Sequence, residues 1–246
     1  MIQNLRNIKR KFNIARKVNW VKTLYFNFKM FPFSIAKKLP VFFYGSVKFT
    51  SLKGSIIIDA PLRIGMIGFG QPYEMTTRSC GIAELFLEGY MTFKGHVAFS
   101  KDVFLYIKKN AHFEIGHLST IATKSKIICT HKISLGSFVQ CGSETQFIDT
   151  NFHSMINTQT GIRYPMSAPI DIADYVYIGS RVTIMKHTVI PSYFTIASHS
   201  LTNKNYASLG SNTLIGGLPA KQLKGNISRD WEGERESLEK NLIINF

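Results

Sequence analysis

The run Asp149-Thr150-Asn151-Phe152-His153 places a carboxylate four residues ahead of an imidazole. An imidazole titrates near neutral pH, so it can take a proton from a hydroxyl or an amine and free that group to attack a carbonyl carbon. On this reading His153 is the general base, and Asp149 orients the ring or stabilises its charged form. The developing oxyanion needs a donor, and no residue of the run identifies one. A loop histidine can equally have no role, so the assignment leans on where the run sits in the chain. The other reactive side chains point less clearly. Cys80, Cys129 and Cys141 form no C-x-x-C pair and no metal spacing, and none has an activating neighbour in sequence. They read as three buried thiols of a reducing cytoplasm. His112 and His117, with His96 or His131 as a third imidazole, could suit a zinc site, a weaker alternative.

What positions the run is a repeat. Isoleucine returns every sixth residue at Ile172, Ile178, Ile184, Ile190 and Ile196, beside a second register at Val176, Val182, Thr188, Phe194 and Ser200. Earlier members are Leu87, Phe93, Phe99 and Leu105, then Ile115, Ile121, Ile127, Ile133, Val139 and Thr145. A period of six fits neither an amphipathic helix nor an alternating strand. It is the spacing of a hexapeptide β-helix, in which each unit makes a short strand and a corner and three units make one triangular coil. Cys129 and Cys141 stand in phase with it, and both should point inward. Gly116, Gly136, Gly142 and Gly179 sit at or near corners, where a positive φ is expected. Two interruptions stand out. Residues 149–171 are polar, contain Gly161, Pro165 and Pro169, and read as a loop ejected from the coil. Residues 202–225 end the coil. The predicted organisation is a basic, aromatic segment and lead-in over 1–84, a β-helix over 85–201, and a closing loop with a short C-terminal helix over 202–246.

From about Ile115 to Gly225 the chain resembles the left-handed parallel β-helix acyltransferases with hexapeptide repeats, most of all the O-acetyltransferases of bacterial capsule, lipopolysaccharide and other surface glycans. Three stretches carry the resemblance: DTNFH at 149–153, VYIGSRVTI at 176–184 and IGGLPAK at 215–221. It implies a homotrimer whose active site lies between neighbouring subunits. It also implies acetyl-CoA as co-substrate, His153 as the base, and acetyl transfer to a sugar hydroxyl of a surface polysaccharide or its precursor without a covalent enzyme intermediate. By position, Tyr177, Gly179, Ala197, Ser198, Lys204, Pro219 and Lys221 are the expected coenzyme neighbours and Asn151 the expected acceptor contact. No metal is required. His187 and Pro191 stand where the family often has glycine, and His187 is expected to face solvent.

Charge is unevenly spread. The chain carries a net charge of +15, and twelve Lys or Arg precede the first acidic residue, Asp59. Such a segment suits an anionic membrane surface or a cap for the open end of the coil. No recognition module follows it, which argues against nucleic acid. No apolar stretch is long enough to span a bilayer, and no signal peptide is evident, so the expected location is the cytoplasm or the inner face of the membrane. Two further readings stay open: an N-acetyltransferase acting on an amino group of a nucleotide-linked sugar, and a non-catalytic solenoid scaffold in glycan assembly.

Overall fold

A computed structural model describes residues 15–71 and 81–243; Cys80 lies outside the described residues. The chain winds as a left-handed parallel β-helix of triangular section. One face is a nine-stranded sheet running from Val41–Phe43 through Ile67–Phe69, Val97–Phe99 and Tyr177–Ile178 to Leu214–Gly217 and Ala220–Lys224. The second face stacks seven strands from Val47–Leu52 to Leu201–Thr202, and the third stacks six from Ser55–Ile58 to Val189–Ile190. The strands of these faces pair in parallel from coil to coil, and the closing strand Ala220–Lys224 turns back antiparallel. The hexad explains the strands. In Lys132–Leu135, Ile133 and Leu135 are buried while Lys132 faces out, and every Ile of the 172–196 series is buried.

The coil starts inside the stretch expected to be lead-in. Val41, Phe42 and Phe43 pair with Ile67, Gly68 and Phe69, which pair in turn with Val97, Ala98 and Phe99. Phe43, Phe69 and Phe99 stack inside the coil at 5.1 and 4.6 Å. Coil length varies, which hides the period there. Neighbours are 18 residues apart at Ser180 and Ser198 but 20 apart at Thr120 and Gln140.

The corners correct the expectation placed on the glycines. The positive φ falls on non-glycine residues, again six apart: Tyr175, Arg181, His187, Tyr193 and His199, between 58° and 70°. In this conformation the amide points along the coil axis, and Tyr175 donates to the Ser137 carbonyl of the preceding coil at 2.9 Å, Arg181 to that of Ser143 at 2.8 Å. That bond offsets a backbone strain of about 1–2 kcal/mol. Gly116, Gly136, Gly142 and Gly179 are needed for another reason. A Cβ on Gly116 would lie 2.3 Å from the Ser137 nitrogen, and one on Gly179 would lie 2.6 Å from that of Ser198.

Both margins of the coil carry helices. Helix α1 (Trp20–Met30) lies over the first strand and is followed by the short α2 (Phe33–Ala36). Helix α3 (Trp231–Leu242) starts at Asp230, whose side chain accepts from the Gly233 amide. It carries Glu232 and Glu234 in its first turn and Lys240 in its last, as its dipole favours. It docks on the corner between the third and first faces. There Phe138, Tyr175 and Tyr193 stack at 4.7 and 4.9 Å, Trp231 meets Tyr175 edge-on, and Leu242 joins Leu118 and Ala98.

Candidate functional site

The loop at 149–169 leaves the coil between Gln146–Ile148 of the second face and Ile170–Ile172 of the third. Asp149 holds its first foot. The carboxylate is fully buried and accepts from the Thr130 amide, the Thr130 hydroxyl and the His131 amide at 2.7–3.0 Å. Asp149 thereby anchors the loop to the coil. Its oxygens are turned to the preceding coil, where a buried carboxylate needs donors, and the donors it meets there belong to Thr130 and His131 rather than to His153. The second foot is tied by Ser167, which shares a 2.8 Å hydrogen bond with the Thr130 hydroxyl, and by Lys186, whose Nζ donates to the Pro165 and Met166 carbonyls. Neither Thr130 nor Lys186 was singled out from sequence, because each acts across coils that are remote in the chain.

Above these feet the loop forms a small antiparallel hairpin, Met155–Ile156 with Arg163–Tyr164. At its base Phe152 takes a φ of +60°, and its amide donates to the Thr150 hydroxyl. His153 follows directly and is exposed, while Asn151 is half-buried with its amide on the Met166 carbonyl. The arrangement is an exposed imidazole on a braced platform, suited to meeting a substrate from outside the chain.

The expected coenzyme residues divide between two places. Tyr177, Ala197 and Lys221 belong to the first face or its edge, where Tyr177–Ile178, Thr195–Ile196, Leu214–Gly217 and Ala220–Lys224 lie side by side. Gly179 and Ser198 stack at the corner leading to the second face, and the Ser198 hydroxyl accepts from the Ser180 amide at 3.1 Å. Pro219 stands in the turn between the last two strands. Lys204 is elsewhere. Its carbonyl accepts from the Val189 amide, at the corner from which the His153 loop springs, and its Nζ lies 5.4 Å from the centre of the Tyr206 ring. His187 is exposed at that same corner.

Beside Tyr177 opens a cleft of about 470 Å³, lined by Tyr177, Thr195, Leu214, Ile227, Ser228, Arg229 and Glu234. Arg229 was not foreseen. Its guanidinium lies 5.4 Å from the Tyr177 ring centre and 4.8 Å from that of Trp231, and its Nε donates to Glu234 at 2.9 Å. The Ser228 hydroxyl is buried there without a partner among the described residues.

The histidines considered for zinc are dispersed. His112 stacks on Tyr90 at 4.8 Å. His96 and His117 adjoin each other, the His117 Nδ1 accepting from the His96 amide at 3.1 Å. Among the described residues no three His, Cys, Asp or Glu side chains come together as metal ligands. Burial, then the neighbouring charge of His117, pushes His96 down to about 4, and burial lowers His117 as well. Cys129 and Cys141 are buried as expected, and burial pushes the Cys129 thiol up, away from reactivity.

No protein-family model matches the chain, and no curated protein matches it in sequence. Solved structures do. The polySia specific acetyltransferase NeuO is 19% identical, with 77% of this chain and 78% of that one covered at a TM-score of 0.56, and the two share a fold. Also similar, at lower TM-scores, are two further structures. The hexapeptide-repeat containing acetyltransferase VCA0836 of Vibrio cholerae O1 biovar eltor, complexed with acetyl coenzyme A, is 25% identical over 50% of this chain and 64% of that one at 0.42. The N-acyltransferase AntD of Bacillus cereus, in complex with dTDP and 3-hydroxybutyryl-CoA, is 13% identical over 86% of this chain and 97% of that one at 0.45.

Proposed function

We propose that this protein is an acetyl-CoA-dependent O-acetyltransferase that modifies a sugar hydroxyl of a surface polysaccharide or its precursor, working in the cytoplasm. The observation that carries this is the exposed His153 on a loop ejected from the coil and braced at both feet by Asp149, Thr130, Ser167 and Lys186. In the proposed reaction His153 takes the proton of the sugar hydroxyl as its oxygen bonds to the thioester carbonyl carbon. The C–S bond then breaks, and the proton passes from the imidazolium to the sulfur of the departing coenzyme. The polySia specificity of NeuO, which has the same fold, supports a glycan acceptor. Tyr177, Ala197, Ser198 and Lys221 supply the coenzyme surface, with Arg229 as an added cation for phosphate.

Within one chain the His153 loop and this surface occupy different corners, separated by the second face. We take the working unit to be a homotrimer, in which the loop of one subunit meets the coenzyme surface of the next. His153→Ala should lower kcat for CoA release in the presence of a capsular oligosaccharide by at least ~10²-fold, the usual contribution of a positioned base. Turnover within a few-fold of the parent chain would remove His153 from the mechanism.

A further inference from the structure

Helix α1 exposes more of its large apolar side chains than it buries. It buries Thr23, Asn27 and a single aromatic ring, Phe26, which packs on Phe43 and Phe49, and it exposes Trp20, Val21, Leu24, Tyr25 and Phe28, with Phe33 of α2 alongside at 70% exposure. The inward polar residues have a clear task. The first strand of the first face has no described strand below it, and its outward backbone groups must be satisfied. Asn27 accepts from the Val41 amide and donates to the Val41 carbonyl, the Thr23 hydroxyl accepts from the Phe43 amide, and the Asn19 amide donates to the Phe43 carbonyl. The cap therefore accounts for one side of the helix and leaves the aromatic side turned outward.

We infer that this aromatic side seats on an anionic lipid bilayer, so that the coil stands on the membrane at its N-terminal end. Charge favours lipid over another protein surface. Exposed Lys17, Lys29, Lys37 and Lys38 flank the patch, and the twelve cations that precede Asp59 share that span with no acid. Two such faces would repel each other, whereas an anionic leaflet attracts both the cations and the Trp and Tyr rings that favour the headgroup region. Among the described residues no helix is long and apolar enough to cross a membrane, so the contact is peripheral. The loop bearing His153 follows the fifth strand of the second face. At about 4.8 Å per strand this lifts it roughly 20 Å above the first coil, within reach of a glycan carried on lipid.

The test is binding to vesicles of phosphatidylcholine with roughly 35% phosphatidylserine, a strongly anionic surface, read by co-sedimentation and by tryptophan emission. Trp20 is 40% exposed and Trp231 is 5% exposed, so a blue shift on binding reports mainly the patch. The expected result is binding to the anionic vesicles that weakens with salt, with little to neutral vesicles. The double variant Val21→Glu, Leu24→Glu should bind at least ~10-fold more weakly while keeping the parent melting temperature, since both side chains already face out. Equal binding by parent and variant, or none by either, would overturn the inference. So would a lipid-free assembly of the parent chain that the variant dissolves, because the face would then be a contact between copies. None of these readouts depends on acetyl transfer.

Discussion

Helix α1 turns Thr23, Asn27 and one ring, Phe26, inward and five apolar side chains outward, whereas α3 turns Trp231 and Leu242 inward and leaves Glu232, Arg235, Glu236 and Glu239 on its other sides. The difference lies in what each helix covers. The surface under α1 is the open end of a sheet, where backbone donors and acceptors of the first strand need the polar Thr23 and Asn27 and only Phe26 reaches the apolar core. The surface under α3 is the side of the coil, where stacked Phe138 and Tyr175 offer apolar area. Amphipathicity thus shows which side of a helix has a partner only once the partner's chemistry is known.

The largest effect expected from this contrast comes from Asn27→Leu, which reads as a favourable change on an apolar helix. It strands the Val41 amide and carbonyl, at about 1–3 kcal/mol for each buried group. Global stability should fall by about 3 kcal/mol in urea unfolding. A loss below about 1 kcal/mol would mean that the end of the coil is satisfied in another way. Trp231→Ala should cost less, about 2 kcal/mol, within the range of most single substitutions, because its ring packs on one side of the coil rather than within it. Its loss should be local, read as faster amide exchange across 231–242 with the coil still protected. Uniform acceleration through the coil would make α3 as integral as the cap.

The smallest effect sharpens the α3 side. His96 and His117 lie near its far end, with Glu239 and Arg63 as the charged groups acting on His117, and the His117 Nδ1 must be unprotonated to accept from the His96 amide. Because His96 is held near 4 when folded and titrates near ~6.5 when unfolded, the unfolded chain binds more protons between those values. Stability is therefore complete above about pH 6.5 and falls as the pH drops toward about 4. His96→Gln should flatten that part of the melting profile by a few degrees, and an unchanged profile would clear the pair of this role.

The legible parts were those in which one residue type repeats at one spacing. The series from Ile172 to Ile196 indicated coil, inward face and strand length together, and the break at Asp149 located the loop. The first coil escaped notice because Phe43, Phe69 and Phe99 stack across coils of unequal length. Position in the run DTNFH likewise located Asp149, but its hydrogen bonds run to Thr130 and His131 on the coil below.

The linear chain therefore settles which residues face the core, since burial of a short strand depends on residue type at a fixed local period. It also settles where regular winding stops. Folding in three dimensions settles what stacks on what: non-glycine corners whose amides reach down one coil, glycines kept small by the backbone above, a carboxylate used as an anchor, and a capping helix with most of its large apolar side chains outward. Each of these depends on a group in another coil or at an open end, and distance along the chain carries no information about which group that will be.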